Sequence, residues 1–261
     1  MRGVYCWPQS VRSGERVSIF FGPNEGTLSL SVARQGLKNV EVLQKTRVLS
    51  RAQEPSENLS VEGARWDPCE EIVIDKDWPG GFYLVSVTEE GGRVSEGFFV
   101  VRGRQIQDGM LVLSTSTWAA YNNWGGPSFY TGGQHSSFCR PLPKGFLNKH
   151  NPEQHRIAFY HTWGKDTRED FQEHEYGAWC MAAGWANQEL LFVRWAEAQG
   201  LNLDYATSMD LDREGDLLSD YSLYLSVGHD EYWSAAMRDS VESFVDQGGN
   251  AAFFSGNTAF W

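Results

Sequence analysis

YSLYLSVGHDEYWSAAMRDSVESFVDQG, residues 221–248, is the stretch on which the fold turns. Its opening YSLYLSVG is uncharged and largely apolar and runs into Gly228, the pattern of a buried strand stopped by a glycine turn. Ser234 stands where a side-chain oxygen caps a helix, AAMRDSVESFVD follows with helical spacing, and Gly248 closes it. Working outward, MLVLS at 110–114 reads as another buried strand, NQELLFVRWAEAQG at 187–200 as a helix with a glycine stop, and AAFFSG at 251–256 as a third strand. Strands alternating with helices predict a parallel sheet with helices on its faces. Because AAFFSG is followed only by NTAFW, the expectation is an α/β domain truncated at its C-terminus, its missing layer supplied by further chain or by a partner.

The first part of the chain has a different grammar. Short runs, VSIFF, LSLSV, EIVI, FYLVSV and GFFVV, are separated by GPNEG, DWPGG and EEGG, with no sustained helical period. That predicts an antiparallel β-sandwich of immunoglobulin-like size. In DWPGG, Pro79 fixes φ, and Gly80 or Gly81 can take the positive φ of a tight reversal. Charge changes at the same place: 14 acidic and 13 basic residues precede or include Gln105, leaving 20 acidic and 9 basic from totals of 34 and 22. The predicted division is a sandwich over 1–105 and an α/β domain over 106–261.

A net charge of -12 repels phosphate backbones and excludes nucleic acid as a partner, while favouring cations or neutral substrates or serving solubility. Cys6, Cys69, Cys139 and Cys180 form no CxxC pair, so reduced thiols are expected. The N-terminus lacks an apolar leader core, and no run of about 18 apolar residues occurs, which predicts a cytoplasmic protein without a membrane span. The eleven Trp and ten Tyr are mainly core and interface material.

In an open parallel sheet, ligands bind beyond the carboxyl ends of the strands. Those ends carry TSTWAAYNNWGGPSFY at 115–130, HDEYWS at 229–234 and NTAFW at 257–261. His229 and Glu231, two apart in a turn, can aim at one point as two metal ligands or as a ligand and a general base; otherwise the acidic side chains serve the following helix N-terminus. Tyr121 and Tyr130 either pack or offer phenolate oxygens, which complement a carboxylate around ferric iron. Asn257 either hydrogen-bonds a substrate carbonyl or oxyanion, or is a turn residue beside Gly256. His150, His155, His161 and His174 fall in the irregular stretch 140–186 at spacings that match no metal motif, and read as a solvated loop. No GxSxG elbow, phosphate-binding P-loop or HExxH helix occurs.

STSTWAAYNNWGGPSFY, FCRP at 138–141, LSVGHDEYWSAAMRDSVE and GGNAAFFSGNTAFW, in that order, resemble the large (beta) subunit of the N,N-dimethylformamidase family, with weaker support from SVRSGERV and DWPGGFYLVSV. The resemblance implies a sandwich preceding an α/β domain with a glutamine-amidotransferase-like sheet. It implies hydrolysis of an amide C–N bond at a mononuclear ferric iron held by two tyrosines and a glutamate, with a histidine and an asparagine nearby. By position these are Tyr121, Glu231, His229 and Asn257. The second tyrosine is expected shortly before an Arg-Pro, and here QHSSFCRP has none, which leaves His135 as the nearest ligand-capable residue and Tyr130 as the other choice. His229 would move protons, Asn257 would steady the oxyanion, and Trp118, Trp124 and Tyr130 would form the walls that bind a small amide. A small subunit or a homo-oligomer is the implied partner. The alternatives are a zinc hydrolase using His229, Glu231 and His135, and a non-catalytic carbohydrate- or protein-binding module on the same fold.

Overall fold

A computed structural model describes residues 2–150, 175–177 and 179–261. His155, His161 and His174 lie outside the described residues. The chain begins with β1 (Gly3–Trp7), β2 (Ser10–Val11), β3 (Arg16–Gly22), β4 (Gly26–Gln35) and β5 (Val40–Ser50), then a single helical turn α1 (Leu59–Glu62), β6 (Pro68–Val73), β7 (Gly81–Glu89) and β8 (Val94–Val101). One sheet has the order β1-β3-β6 and the other β2-β8-β7-β4-β5. Pairing is antiparallel throughout except between the short β2 and β8, which run parallel. Alternation decides the facing: Val17, Ile19 and Phe21 of β3 enter one cluster with Leu28, Leu30 and Val32 of β4 and Tyr83, Val85 and Val87 of β7. In the reversal before β7, Gly81 is the glycine with positive φ, at 152°, and a Cβ there would sit 2.6 Å from Arg34 Nε. The Tyr83 hydroxyl closes this turn by donating to the Pro79 carbonyl at 2.6 Å.

The rest comprises β9 (Gly109–Leu113), α2 (Thr115–Tyr121), a 3-10 turn (Phe129–Thr131), α3 (Glu189–Ala198), β10 (Leu203–Thr207), α4 (Ser208–Arg213), β11 (Leu223–His229), α5 (Ala235–Asp246) and β12 (Asn250–Gly256). Its sheet is parallel, in the order β10-β9-β11-β12. The strands predicted at MLVLS, YSLYLSVG and AAFFSG are β9, β11 and β12. β10 is an addition, since LDYAT carries an acid at its second position. Buried Asp204 is tolerated because the Tyr221 hydroxyl donates to it at 2.6 Å. Ser234 caps α5 as predicted, its hydroxyl accepting from the Met237 N–H at 3.1 Å.

From β9 the chain steps to β10 on one side, then returns past β9 to β11 on the other. This reversal is a topological switch point at the carboxyl ends of β9 and β11, where α2 and the His229–Glu231 turn leave the sheet. α3 covers one face through Leu190, Val193 and Ala196, and α4 and α5 cover the other through Leu211, Met237, Val241 and Phe244. The division at 105 falls in the connection between β8 and β9, but packing crosses it. Phe82, Leu84, Phe98 and Val100, on the outward face of β7 and β8, share a cluster with Leu111, Trp118 and Trp185. β7 is therefore buried on both faces, which is why FYLVSV lacks a polar alternation. The four cysteines are free thiols, and no helix among the described residues is long and apolar enough to cross a membrane.

Candidate functional site

The turn after β11 is built before it is decorated. Gly228 takes φ 93°, and a Cβ there would press within 3.0 Å of Gln188 Oε1 and 3.2 Å of Glu189 Cδ. Asp230 points beneath the turn, where Ser226 Oγ donates to its Oδ2 at 2.6 Å and burial pushes its carboxyl up from the ordinary range. Thr117 of α2 accepts from the backbone N–H groups of Glu231 at 2.9 Å and Tyr232 at 3.3 Å, tying the turn to the end of β9. With Asp230 committed to the sheet, His229 and Glu231 are left on the other side, as their spacing predicts.

They meet two phenols. Tyr121, the last residue of α2, donates to Glu231 Oε2 at 2.8 Å, and Tyr130, in the 3-10 turn, donates to the same oxygen at 2.7 Å. Their rings stack with centroids 4.2 Å apart, and the Tyr232 hydroxyl donates to that of Tyr130 at 3.1 Å. Glu231 is only 4% exposed. Burial first pushes both phenols above their ordinary range; the hydrogen bond to Glu231 and its charge add to this at Tyr121, and hydrogen bonds with Tyr121, Tyr232 and Glu231 add to it at Tyr130, so with nothing else bound both stay protonated and donate. Loop placement comes from FCRP: buried Arg140 donates to the carbonyls of Asn122 at 2.7 Å and Trp124 at 3.2 Å, and Asn122 donates to Pro141 O at 2.9 Å. Desolvation lowers the Arg140 guanidinium to about 10.

His229 completes the group. Its Nδ1 lies 2.8 Å from the Ala182 carbonyl, which only accepts, so Nδ1 carries a proton and donates there, leaving Nε2 as the ring nitrogen turned toward the site. Nε2 stands 3.2 Å from Glu231 Oε2 yet makes no hydrogen bond of acceptable geometry and is otherwise orphaned. A lone pair facing a carboxylate oxygen is favourable only when a proton or a cation lies between them.

Four predicted residues, Tyr121, Tyr130, His229 and Glu231, are thus brought together. His135 is exposed, and among the described residues no three His, Cys, Asp or Glu side chains form a metal-holding group. Trp118, expected as a pocket wall, is 1% exposed, packs on Phe82 and Phe98, and its indole donates to Glu189 Oε1 at 3.1 Å. Trp124 lies edge-on to Trp66 of the first half, 5.8 Å between centroids, outside the group. Asn257 is exposed in a left-handed turn, φ 51°, with its carbonyl accepting from Phe260 N at 3.1 Å, which is the turn-residue alternative. Three aromatic neighbours escaped the sequence reading. Trp179 lies 5.6 Å from Tyr121 and 5.4 Å from Tyr130 between ring centroids, Tyr232 bonds Tyr130, and the Trp261 indole donates to Glu231 Oε1 at 3.0 Å. Only their positions in strand-end loops marked Tyr232 and Trp261 beforehand.

Residues 30–261 match a family model described as N,N-dimethylformamidase beta subunit-like, C-terminal. The N,N-dimethylformamidase beta subunit of Paracoccus aminophilus is 25% identical over 219 residues, covering 77% of this chain and 28% of that protein. The beta subunit of the same name from Alcaligenes sp is 24% identical over 219 residues with the same coverage, 77% and 28%. The chain thus spans about 28% of the length of the curated relatives it matches. The crystal structure of murine CEACAM1b overlaps 43% of this chain and 63% of its own at 14% identity, with a TM-score of 0.24, too low to bear on the fold.

Proposed function

Since the chain belongs to the N,N-dimethylformamidase beta subunit-like family, we propose that it hydrolyses the C–N bond of a small amide at a cation held by Tyr121, Tyr130 and Glu231. One observation carries this reading: two phenols and an imidazole from separate strand ends converge on a single glutamate oxygen, Oε2. The donor set fits ferric iron, because phenolate and carboxylate are hard anionic oxygens. Tyr130 takes the place of the second tyrosine that QHSSFCRP lacks, in preference to His135. The alternative zinc reading draws on His229, Glu231 and His135, the last of which is exposed.

A bound cation supplies Lewis acidity to the amide carbonyl and acidifies water. The chain's residues do the rest. His229, with Nδ1 fixed on Ala182 O, presents one basic nitrogen toward the centre and is placed to take a proton from water and return it to the leaving amine. Thr117, Asp230 and Arg140 hold this group in place before substrate arrives. Trp179 and Tyr232 give apolar surface to a small, weakly polar substrate. Asn257 touches none of these groups, and we assign it no step. We read the two N-terminal sheets as an immunoglobulin-like sandwich and the parallel sheet as glutamine-amidotransferase-like. The relatives are named beta subunits, so a partner subunit belongs to the proposal.

The test compares Tyr130→Phe with His135→Ala in the full-length protein. Loss of bound metal and of formamide hydrolysis in the first alone is expected. Loss in the second with retention in the first would reject Tyr130 as a ligand.

A further inference from the structure

Glu231 uses its two oxygens differently. Oε2 receives Tyr121 and Tyr130 and faces His229 Nε2, whereas Oε1 receives the Trp261 indole at 3.0 Å. We infer that Trp261 is a positioning residue that occupies Oε1 so that Glu231 offers a cation one oxygen and not two. The inference rests on the cation-binding reading of the site.

An ionised carboxylate has about four lone-pair sites on two oxygens and can clasp an ion with both. An indole N–H only donates, so it suits an oxygen kept permanently away from the ion. The backbone sets this contact. Trp261 N donates to Glu231 O at 3.0 Å, Trp233 N donates to Trp261 O at 3.1 Å, and Ala259 N donates to Asp230 O at 3.0 Å. The stretch after β12 thereby continues alongside the turn after β11 in the same parallel sense as the two strands, and the indole lands on the carboxylate. Trp261 keeps its indole N–H on Glu231 while its ring is 66% exposed. A glutamate limited to one oxygen leaves a coordination position free for substrate or water, as catalytic sites require.

The experiment titrates the full-length protein with ferric iron and follows visible absorption in wild type, Trp261→Phe and Trp261→His. Far-UV circular dichroism and Tm confirm folding. The phenyl variant should keep its fold, bind iron roughly 10–100-fold more weakly, the usual effect of losing a partner of a metal ligand, and show a displaced phenolate band. The imidazole variant, which retains a ring N–H, should recover part of both. Wild-type affinity and spectrum in Trp261→Phe would overturn the inference and leave the cation site standing. Equal losses in both variants would assign the effect to ring packing and also overturn it. Failure of the wild type to take up iron would reject the cation site itself, and this inference with it.

Discussion

Replacing Glu189 with glutamine should flatten the pH dependence of stability. Glu189 opens α3 and is 2% exposed behind Gly228, with the Trp118 indole on its Oε1 at 3.1 Å. Desolvation, opposed by that bond, its own backbone N–H and the Lys149 charge, pushes its carboxyl from 4.5 up to about 8. The folded state thus binds this proton more tightly than the unfolded chain. Stability from the protonated acid is complete below the unfolded value and is lost as pH rises through the folded one. The slope is about 1.4 kcal/mol per pH unit, so by pH 7 the loss is on the order of 3 kcal/mol. Lys149, donating to Cys180 O at 2.6 Å and Asn187 Oδ1 at 3.2 Å, is lowered to about 8 from 10.5 by burial and acts in the opposite sense above that pH. Asp230 adds like charge. Glutamine keeps an acceptor for Trp118 and has no charge to desolvate. In urea unfolding of the full-length protein, Glu189→Gln should gain on wild type from pH 5 to pH 7 by on the order of 2 kcal/mol. Parallel stability curves for the two proteins over that range would refute the reasoning.

Thr117→Val removes the hydroxyl that accepts two N–H groups of the His229–Glu231 turn; a cost of about 1–3 kcal/mol in urea unfolding is expected, and an unchanged midpoint would show that water replaces it. Phe82→Ala empties the cluster shared by β7, α2 and the loop before α3, and should cost about 3–5 kcal/mol while lowering one common transition. Separate transitions for the two halves would contradict the shared core.

The fold was legible where local pattern and packing agree. β9, β11 and β12 are apolar runs, and Ser234 caps α5 from its own sequence position. β10 was hidden because the Tyr221 hydroxyl that makes Asp204 tolerable comes from 17 residues further along. At the site, His229 and Glu231 were legible as neighbours leaving one strand. Tyr130 reaches Glu231 across 101 residues of sequence from an irregular loop whose path depends on Arg140, so its direction had no local signal. The packing of Trp118 was not legible, because TSTWAAY does not tell which side of a short helix meets the core. Phe82 and Phe98, which claim the indole, belong to the other half of the chain.

The visible absorption spectrum of the purified full-length protein, read beside its iron content, tests the central claim most directly. Stoichiometric iron with a phenolate band that Tyr121→Phe and Glu231→Gln abolish is the predicted result. A colourless protein active on a small amide, or an iron band unchanged in both variants, would contradict it.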